Sequence, residues 1–191
     1  GFKIEGKRLS KQAQKEYNTK SSIKILDIGT GSGCIAVSLA RFIPGSLVTA
    51  VDISEKALSI AIENSKRHGT GEKVKFIHGN LFDKLDKKNK FDIIVSNPPY
   101  IKAGDIRNLQ REVSGHEPLL ALDGGEDGLY YYREISAQGT EYMNRGGFMA
   151  FEVGYDQAEA VSEMMSTSFY NIKVIKDLSG INRVVIGNIN R

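Results

Sequence analysis

Two clusters in the chain combine residue types and spacings that could do chemistry. The first is Asp27-Ile28-Gly29-Thr30-Gly31-Ser32-Gly33, in which three glycines alternate with a hydroxyl residue at each gap. Glycine tolerates positive φ and lets a ligand come close to the backbone. The G-x-G-x-G spacing is tighter than the G-x-G-x-x-G of dinucleotide sites, where the third glycine lets a helix start hold a pyrophosphate. Asp52 stands 19 residues beyond Gly33 and closes the next apolar run, with Ile53 beside it. A carboxylate so placed can accept both hydroxyls of a ribose. A glycine turn alone could be a plain tight turn. Together with the acid it favours an adenosine-containing ligand. No lysine of the P-loop kind follows the turn and an acid precedes it, so the ligand is uncharged or cationic there, and S-adenosylmethionine fits.

The second cluster is Asn97-Pro98-Pro99-Tyr100, directly after the apolar run Phe91 to Ser96. Two prolines remove two backbone donors and stiffen the loop while leaving its carbonyls as acceptors. A planar NH2 group carries two donors, and it can be held between the Asn97 side-chain oxygen and the Pro98 carbonyl with the Tyr100 ring on its flat face. An amide nitrogen is a poor nucleophile because its lone pair is delocalised. Two acceptors on its hydrogens aim that lone pair and stabilise the positive charge that grows on nitrogen during attack. Asn97, Pro98 and Tyr100 are the candidate catalytic residues, and Asn97 through Tyr100 the candidate substrate-binding ones. Catalysis of this kind is positioning plus electrostatics. The alternative for the tetrapeptide is a strand terminator with Asn97 as a turn residue.

These clusters need elements to position them. Ser22 to Ile28 reads as a strand that feeds the glycine turn, and Ala36, Val37, Leu39, Ala40 and Phe42 mark the helix after it, broken at Pro44-Gly45. Leu47 to Ile53 is a second strand. Ser54 suits the N-cap of a helix with an Ala57, Leu58, Ala61, Ile62 face that Gly69 stops. Val74 to His78 and Phe91 to Ser96 are further strands, the latter apolar enough to be buried on both faces. A helix over Leu129 to Met143, a strand over Gly147 to Val153, a helix over Asp156 to Ser166 and strands over Ile172 to Asp177 and Arg183 to Asn188 follow. The β-α-β alternation implies a parallel sheet with right-handed crossovers, whereas the last two strands are too close to pair other than antiparallel. The expected fold is a seven-stranded, doubly wound α/β sheet, mostly parallel with one antiparallel strand and helices on both faces. Residues 1–22 read as a lead-in segment and 23–191 as the domain that carries the chemistry.

Composition sets the outer limits. The chain has 191 residues, 40% hydrophobic and 26% charged, as expected of one globular domain. No apolar run reaches the roughly 18 residues that a membrane span needs, and the front end lacks the pattern of a signal peptide. The expected compartment is the cytoplasm, with no membrane partner. Cys34 is the sole cysteine and His68, His78 and His116 share no ligand spacing, so neither a disulfide nor a metal site is expected. The net charge of +3 resides in the lead-in, where residues 1–20 hold six Lys or Arg against two Glu; the remainder carries 20 basic and 21 acidic groups. A nearly neutral body offers little affinity for phosphate backbones.

Asp27 to Gly33 with Asp52 resembles the cofactor site of class I S-adenosylmethionine methyltransferases, whose fold is Rossmann-like. That resemblance implies that the glycine turn faces the methionine and ribose portions, that Asp52 binds the ribose, and that Asn80 and Leu81 contact adenine; the candidate cofactor-binding residues are Asp27, Gly29, Thr30, Gly31, Ser32, Gly33, Asp52, Ile53, Asn80, Leu81 and Asn97. Phe82 is as readily a core residue. The blocks His116-Glu117-Pro118-Leu119-Leu120-Ala121-Leu122-Asp123-Gly124-Gly125-Glu126-Asp127-Gly128-Leu129, Tyr132-Arg133, Gly146-Gly147-Phe148, Phe151-Glu152-Val153-Gly154, Gln157 and Asp177-Leu178-Ser179-Gly180-Ile181-Asn182-Arg183 make the likeness narrower. With Asn97-Pro98-Pro99-Tyr100 they resemble the HemK-like protein-(glutamine-N5) methyltransferases, and the match runs from about Ile25 to Gly187. The resemblance implies methyl transfer from S-adenosylmethionine to the glutamine of the Gly-Gly-Gln motif in peptide chain release factors, by a monomer with a protein partner. Read by themselves, most of these blocks are structural: loop punctuation at Glu117-Pro118 and Asp123 to Gly125, a hairpin turn closed by a salt bridge at Asp177, Gly180 and Arg183, and one buried and two surface aromatics at Tyr130 to Tyr132. Family members also carry an N-terminal helical domain and a Pro-Arg-Pro-x-Thr-like segment, which this sequence lacks; Gly1 to Leu9 resembles the connector ahead of that segment. Two alternatives remain. A nucleic-acid amino-methyltransferase acting on adenine N6 or guanine N2 could use the same loop, but would need a basic face and would have to extrude its base. The other is a non-catalytic cofactor-binding module or a nicotinamide-dependent enzyme.

Overall fold

The computed structural model describes residues 22–106 and 121–189, together with the backbone of Lys3–Ile4 and Lys7–Arg8, which pair antiparallel. His116, Glu117, Pro118, Leu119 and Leu120 lie outside the described residues, as does most of the lead-in. The elements of the main body are β1 (Ile23–Ile28), α1 (Cys34–Phe42), β2 (Ser46–Asp52), α2 (Glu55–Arg67), β3 (Val74–His78), β4 (Phe91–Ser96), α3 (Tyr130–Gly139), β5 (Met143–Glu152), α4 (Ala158–Met165), β6 (Phe169–Lys176) and β7 (Asn182–Ile189). The strands form one seven-stranded sheet in the order β3-β2-β1-β4-β5-β7-β6. All pairings are parallel except those of β7 with β5 and with β6. The reversed strand is therefore β7, because a short turn leaves it no other way to return beside β6.

Alternation along β1 sorts its side chains to two cores. Ile25 packs with Ala36 and Ala40 of α1 and with Val48, Ala50 and Val74. Its neighbour Leu26 packs on the opposite face with Tyr132 and Ile135 of α3 and with Val161 and Met165 of α4. Both are fully buried, each worth on the order of 2 kcal/mol relative to exposure. Ser54 caps α2 as expected, its Oγ accepting the Ala57 N–H at 3.2 Å, and Gly69 follows at φ 68°.

Three boundaries differ from the sequence reading for identifiable reasons. The α3 helix stops at Gly139 and a 3-10 turn, Thr140–Tyr142, rotates Tyr142 into the core to stack on Phe82 at 4.8 Å. The following strand then starts at Met143 rather than Gly147. Phe91 pairs with Met143 and Ile93 with Phe148, so the intervening residues bulge, with Gly146 at φ 78°. A Cβ on Gly147 would stand 2.6 Å from the Asp92 carbonyl oxygen, which accounts for glycine there. Likewise β6 begins at Phe169, before Ile172, through an irregularity at Asn171 (φ 52°). No helix among the described residues is long and apolar enough to cross a membrane.

Candidate functional site

The parallel registers bring the predicted residues to one edge. Ile28 pairs with Val51 of β2 and with Ser96 of β4, and Asp52 pairs with His78 of β3. The glycine turn, Asp52, the segment after His78 and the Asn97 corner thus leave the carboxyl ends of four adjacent strands. Each lies one strand from the next, a lateral step of about 4.8 Å. The sheet order reverses between β1 and β4, and open α/β folds bind ligands at such a switch point.

The glycine turn is built to be open on one side and closed on the other. Gly29, Gly31 and Gly33 have φ of 69°, 57° and 82°. A Cβ on Gly29 or Gly31 would meet nothing within 4 Å, so that face is free for a ligand. A Cβ on Gly33 would stand 3.0 Å from Ala61 Cβ, because α2 packs against the turn there. Gly29 and Thr30 donate to the Val51 carbonyl at 2.9 and 3.0 Å, and Asn64 Nδ2 donates to the Ser32 carbonyl at 2.9 Å. Asp52 joins the set directly: its Oδ2 accepts the Gly31 N–H at 2.7 Å and its Oδ1 accepts the Ser54 N–H at 2.8 Å. Each carboxylate oxygen keeps a further lone pair.

Asp27 lies beneath the turn and is fully buried. One oxygen, Oδ2, accepts from Thr30 Oγ1 at 2.6 Å and from the Ala36 N–H at 3.1 Å, tying the turn to the start of α1. The other, Oδ1, has no hydrogen-bond partner among the described residues. Burial pushes the carboxyl up to about 6, against the Thr30 and Ala36 hydrogen bonds that favour its ionised form, and the Asp52 charge adds to the rise. An unsatisfied buried acceptor beside an open glycine turn suits a donor-bearing, cationic ligand group.

After β3, Asn80 and Asp83 close a tight turn through Asn80 N–H to Asp83 Oδ1 (2.9 Å) and Asp83 N–H to the Asn80 carbonyl (3.1 Å). Between them Leu81 holds φ 51°, a left-handed conformation uncommon for a residue with a side chain. Phe82 points into the core, where it is 3% exposed. Ile53, next to Asp52 in the chain, is 48% exposed. A groove of about 450 Å3 lies beside this turn, lined by Asn80, Leu81, Tyr130 and Glu134 among others. A second groove, of about 310 Å3, runs past Lys24, Lys73 and Lys75 at the amino ends of the strands, opposite the end that carries the glycine turn.

At the corner itself Asn97 is exposed, Pro98 buried, and Pro99 and Tyr100 half-buried. Its support comes from residues that sequence reasoning took as punctuation. Ile101 and Asp123 form an isolated parallel bridge, with Ile101 N–H donating to the Leu122 carbonyl (3.0 Å) and Gly124 N–H to the Ile101 carbonyl (2.8 Å). Ala103 N–H donates to the Gly125 carbonyl at 2.9 Å. The Asp123 and Asp127 carboxylates cap the turns on either side of Gly125, accepting the Gly125 and Leu129 N–H groups, and Arg133 pairs with Asp127. Gln157 Nε2 donates to the Tyr100 carbonyl at 3.0 Å and to the Gly128 carbonyl at 3.1 Å. The available signal was the dense glycine pattern Gly124, Gly125, Gly128: Gly124 and Gly128 leave room for the Tyr100 backbone and Gly125 for the Tyr130 side chain. Farther off, the Asp177 hairpin is as read: Oδ1 accepts the Ser179 and Ile181 N–H groups and Oδ2 faces Arg183 Nε at 3.4 Å.

The residues present fit S-adenosylmethionine. Gly29 and Gly31 leave open space at the turn, Asp27 keeps a buried acceptor, Asp52 has lone pairs for two hydroxyls, and Asn80 and Leu81 line a groove beside them.

Comparison with known proteins places the chain among methyltransferases. The family model of the methyltransferase small domain matches residues 9–115. The release factor glutamine methyltransferase of Fusobacterium nucleatum is 47% identical over 163 residues, covering 85% of this chain and 46% of that protein. That of Geobacter sulfurreducens is 48% identical over 166 residues, covering 86% and 57%. The chain therefore spans about half the length of these curated relatives. Among solved structures, a methyltransferase from Pyrococcus furiosus superposes with a TM-score of 0.65 at 20% identity, covering 88% of this chain and 75% of that one.

Proposed function

The chain belongs to the methyltransferase small domain family, and from that premise we propose that it methylates the side-chain amide nitrogen (N5) of the glutamine in the Gly-Gly-Gln motif of a peptide chain release factor. The methyl donor is S-adenosylmethionine. The observation that carries the reading is the pairing of Ile28 with Ser96, since it sets the Asn97 corner one strand from the glycine turn.

Gly29 to Gly33 and Asp27 hold the methionine end of the cofactor, Asp52 the ribose, and Ile53, Asn80 and Leu81 the adenine. When bound, S-adenosylmethionine supplies an electrophilic methyl group at a sulfonium centre. The chain's own residues prepare the amide to meet it. Asn97 Oδ1 and the Pro98 carbonyl accept the two amide hydrogens, Tyr100 packs on the amide plane, and Pro99 removes a donor that would compete. Holding both hydrogens turns the nitrogen lone pair outward and stabilises the charge that develops on nitrogen. The proton leaves after transfer, so no strong base is required.

The release factor is the proposed protein partner, the cytoplasm the proposed compartment and a monomer the proposed working form. The relatives named as release factor glutamine methyltransferases support the choice of substrate. The test is incubation of the chain and tritiated cofactor with a release factor, with DNA and with rRNA. Label is expected in the release factor and absent when its Gly-Gly-Gln glutamine is replaced by asparagine. Label in nucleic acid alone would overturn the reading.

A further inference from the structure

We propose that Gln157 is a positioning residue for the reaction: its carboxamide fixes the direction in which the Asn97 to Tyr100 corner presents its acceptors. This inference rests on the proposed methyl transfer to an amide and deepens it by naming what holds the corner still.

The argument begins with capacity. A carboxamide has two N–H donors and one oxygen with two lone pairs. Gln157 is 7% exposed, and both donors are used on backbone carbonyls, those of Tyr100 (3.0 Å) and Gly128 (3.1 Å). Its oxygen accepts the Gly154 N–H at 3.1 Å and lies 3.5 Å from the hydroxyl of Tyr132, which donates to the Glu152 carbonyl at 2.9 Å. One side chain thus connects the corner after β4, the segment before α3 and the turn after β5.

The corner needs such a connection. Pro98 and Pro99 have no N–H to anchor, so the segment must be held by its carbonyls. A donor on the Tyr100 carbonyl fixes the Tyr100–Ile101 peptide plane, which starts at the Cα that bears the ring proposed to pack on the substrate amide. The surroundings leave no slack for another arrangement. A Cβ on Gly154 would stand 2.8 Å from Gln157 Oε1 and 3.3 Å from Tyr100 Cδ2, and one on Gly128 would stand 2.8 Å from Gln157 Nε2 and 2.5 Å from the Tyr100 carbonyl oxygen. The protein's own carboxamide is thus clamped by the Tyr100 and Gly128 carbonyls, next to the corner proposed to clamp the substrate's carboxamide in the same way.

The variant Gln157→Glu keeps shape and volume but sets a second oxygen against two carbonyl oxygens. Displacing a reacting group by about 1 Å costs on the order of 100-fold in rate. For the variant we expect single-turnover transfer to the release factor to fall by roughly 30-fold or more, with KM and the affinity for S-adenosylhomocysteine within about threefold of the parent. The loss should shrink as the pH is lowered and the introduced carboxyl regains a proton to donate. Hydrogen exchange supplies a readout independent of turnover: the amides of Ile101, Ala103 and Gly124 are expected to exchange about tenfold faster in the variant, from local opening. If Gln157→Glu loses its cooperative melt, Gln157→Met, equal in length but without donors, carries the same rate and exchange expectations, with no recovery at low pH. Parent-like turnover with those amides still protected would overturn the assignment. A parent chain that transfers no methyl to the release factor would sink the proposed function instead, and the exchange comparison would still decide whether Gln157 holds the corner.

Discussion

The carboxylate of Asp52 accepts a hydrogen bond from the backbone N–H of Gly31 at 2.7 Å. The acid proposed to bind the ribose is therefore also a strut of the glycine turn, and its second oxygen is tied to Ser54 N–H. Hydrogen bonds to a charged group contribute about 1.5–3 kcal/mol each. Removing the carboxylate should thus weaken cofactor binding twice over, through lost ribose contacts and a looser turn. Asp52→Ala is expected to weaken S-adenosylhomocysteine binding by about 100-fold or more, and Asp52→Asn by less because its side-chain oxygen can still accept from Gly31. Titration calorimetry on the three chains checks the order; equal affinities would remove Asp52 from the site.

Asp27 gives the fold a pH signature of definite sign. Its carboxyl is pushed from 3.8 up to about 6 by burial, so the folded state binds its proton more tightly than the unfolded chain. The contribution to stability is greatest below pH 4, declines as pH rises through the interval from 4 to 6, and is lost above it. Two pK units correspond to about 3 kcal/mol. Asp27→Asn cannot titrate, so its melting temperature minus that of the parent should rise by several degrees from pH 4.5 to pH 7.5, roughly as that free energy predicts for a domain of this size. A pH-independent difference would mean that the parent carboxyl titrates normally.

Asn97 is exposed, just past the carboxyl end of β4. Its removal should spare the fold and the cofactor while leaving one amide hydrogen of the substrate without an acceptor. Asn97→Ala is expected to lower kcat by on the order of 100-fold, with the melting temperature and S-adenosylhomocysteine affinity nearly unchanged. Rapid-quench measurement of the methyl-transfer step separates this from slower product release. Near-parental transfer by that variant is incompatible with the proposed chemistry.

The strands and the chemistry-bearing turns were legible because their signals are local. The Asp27 to Gly33 turn, Asp52 and Asn97 to Tyr100 each follow directly on an apolar run, and parallel pairing of those runs suffices to bring them to one edge. What was not legible depends on contacts between distant segments. Gln157 is 57 positions from Tyr100 and nothing in its own neighbourhood says which carbonyls it will meet. The starts of β5 and β6 were misread because bulges at Gly146 and Asn171 break the period-two pattern. Asp123, Gly124 and Gly128 look like ordinary loop residues until the Tyr100 backbone is placed against them.

That close approach yields a graded test on glycines alone. A Cβ on Gly124 would stand 2.7 Å from Tyr100 Cα and 2.9 Å from the Pro99 carbonyl oxygen, both backbone atoms that cannot rotate away. Gly128 adds a positive φ of 76° to a 2.5 Å approach to the Tyr100 carbonyl oxygen. Gly104, in the same region of the chain, has nothing within 4 Å. Overpacking of this sort costs about 1–3 kcal/mol, and at these two positions relief comes only by moving the corner. Gly124→Ala and Gly128→Ala should therefore lose turnover out of proportion to their lower melting temperatures, whereas Gly104→Ala should match the parent in both. Because the cofactor turn lies one strand away and touches neither glycine, S-adenosylhomocysteine affinity is expected to survive in all three. If affinity and turnover instead fall together, the bracing extends to the cofactor turn and the corner is not an independent unit.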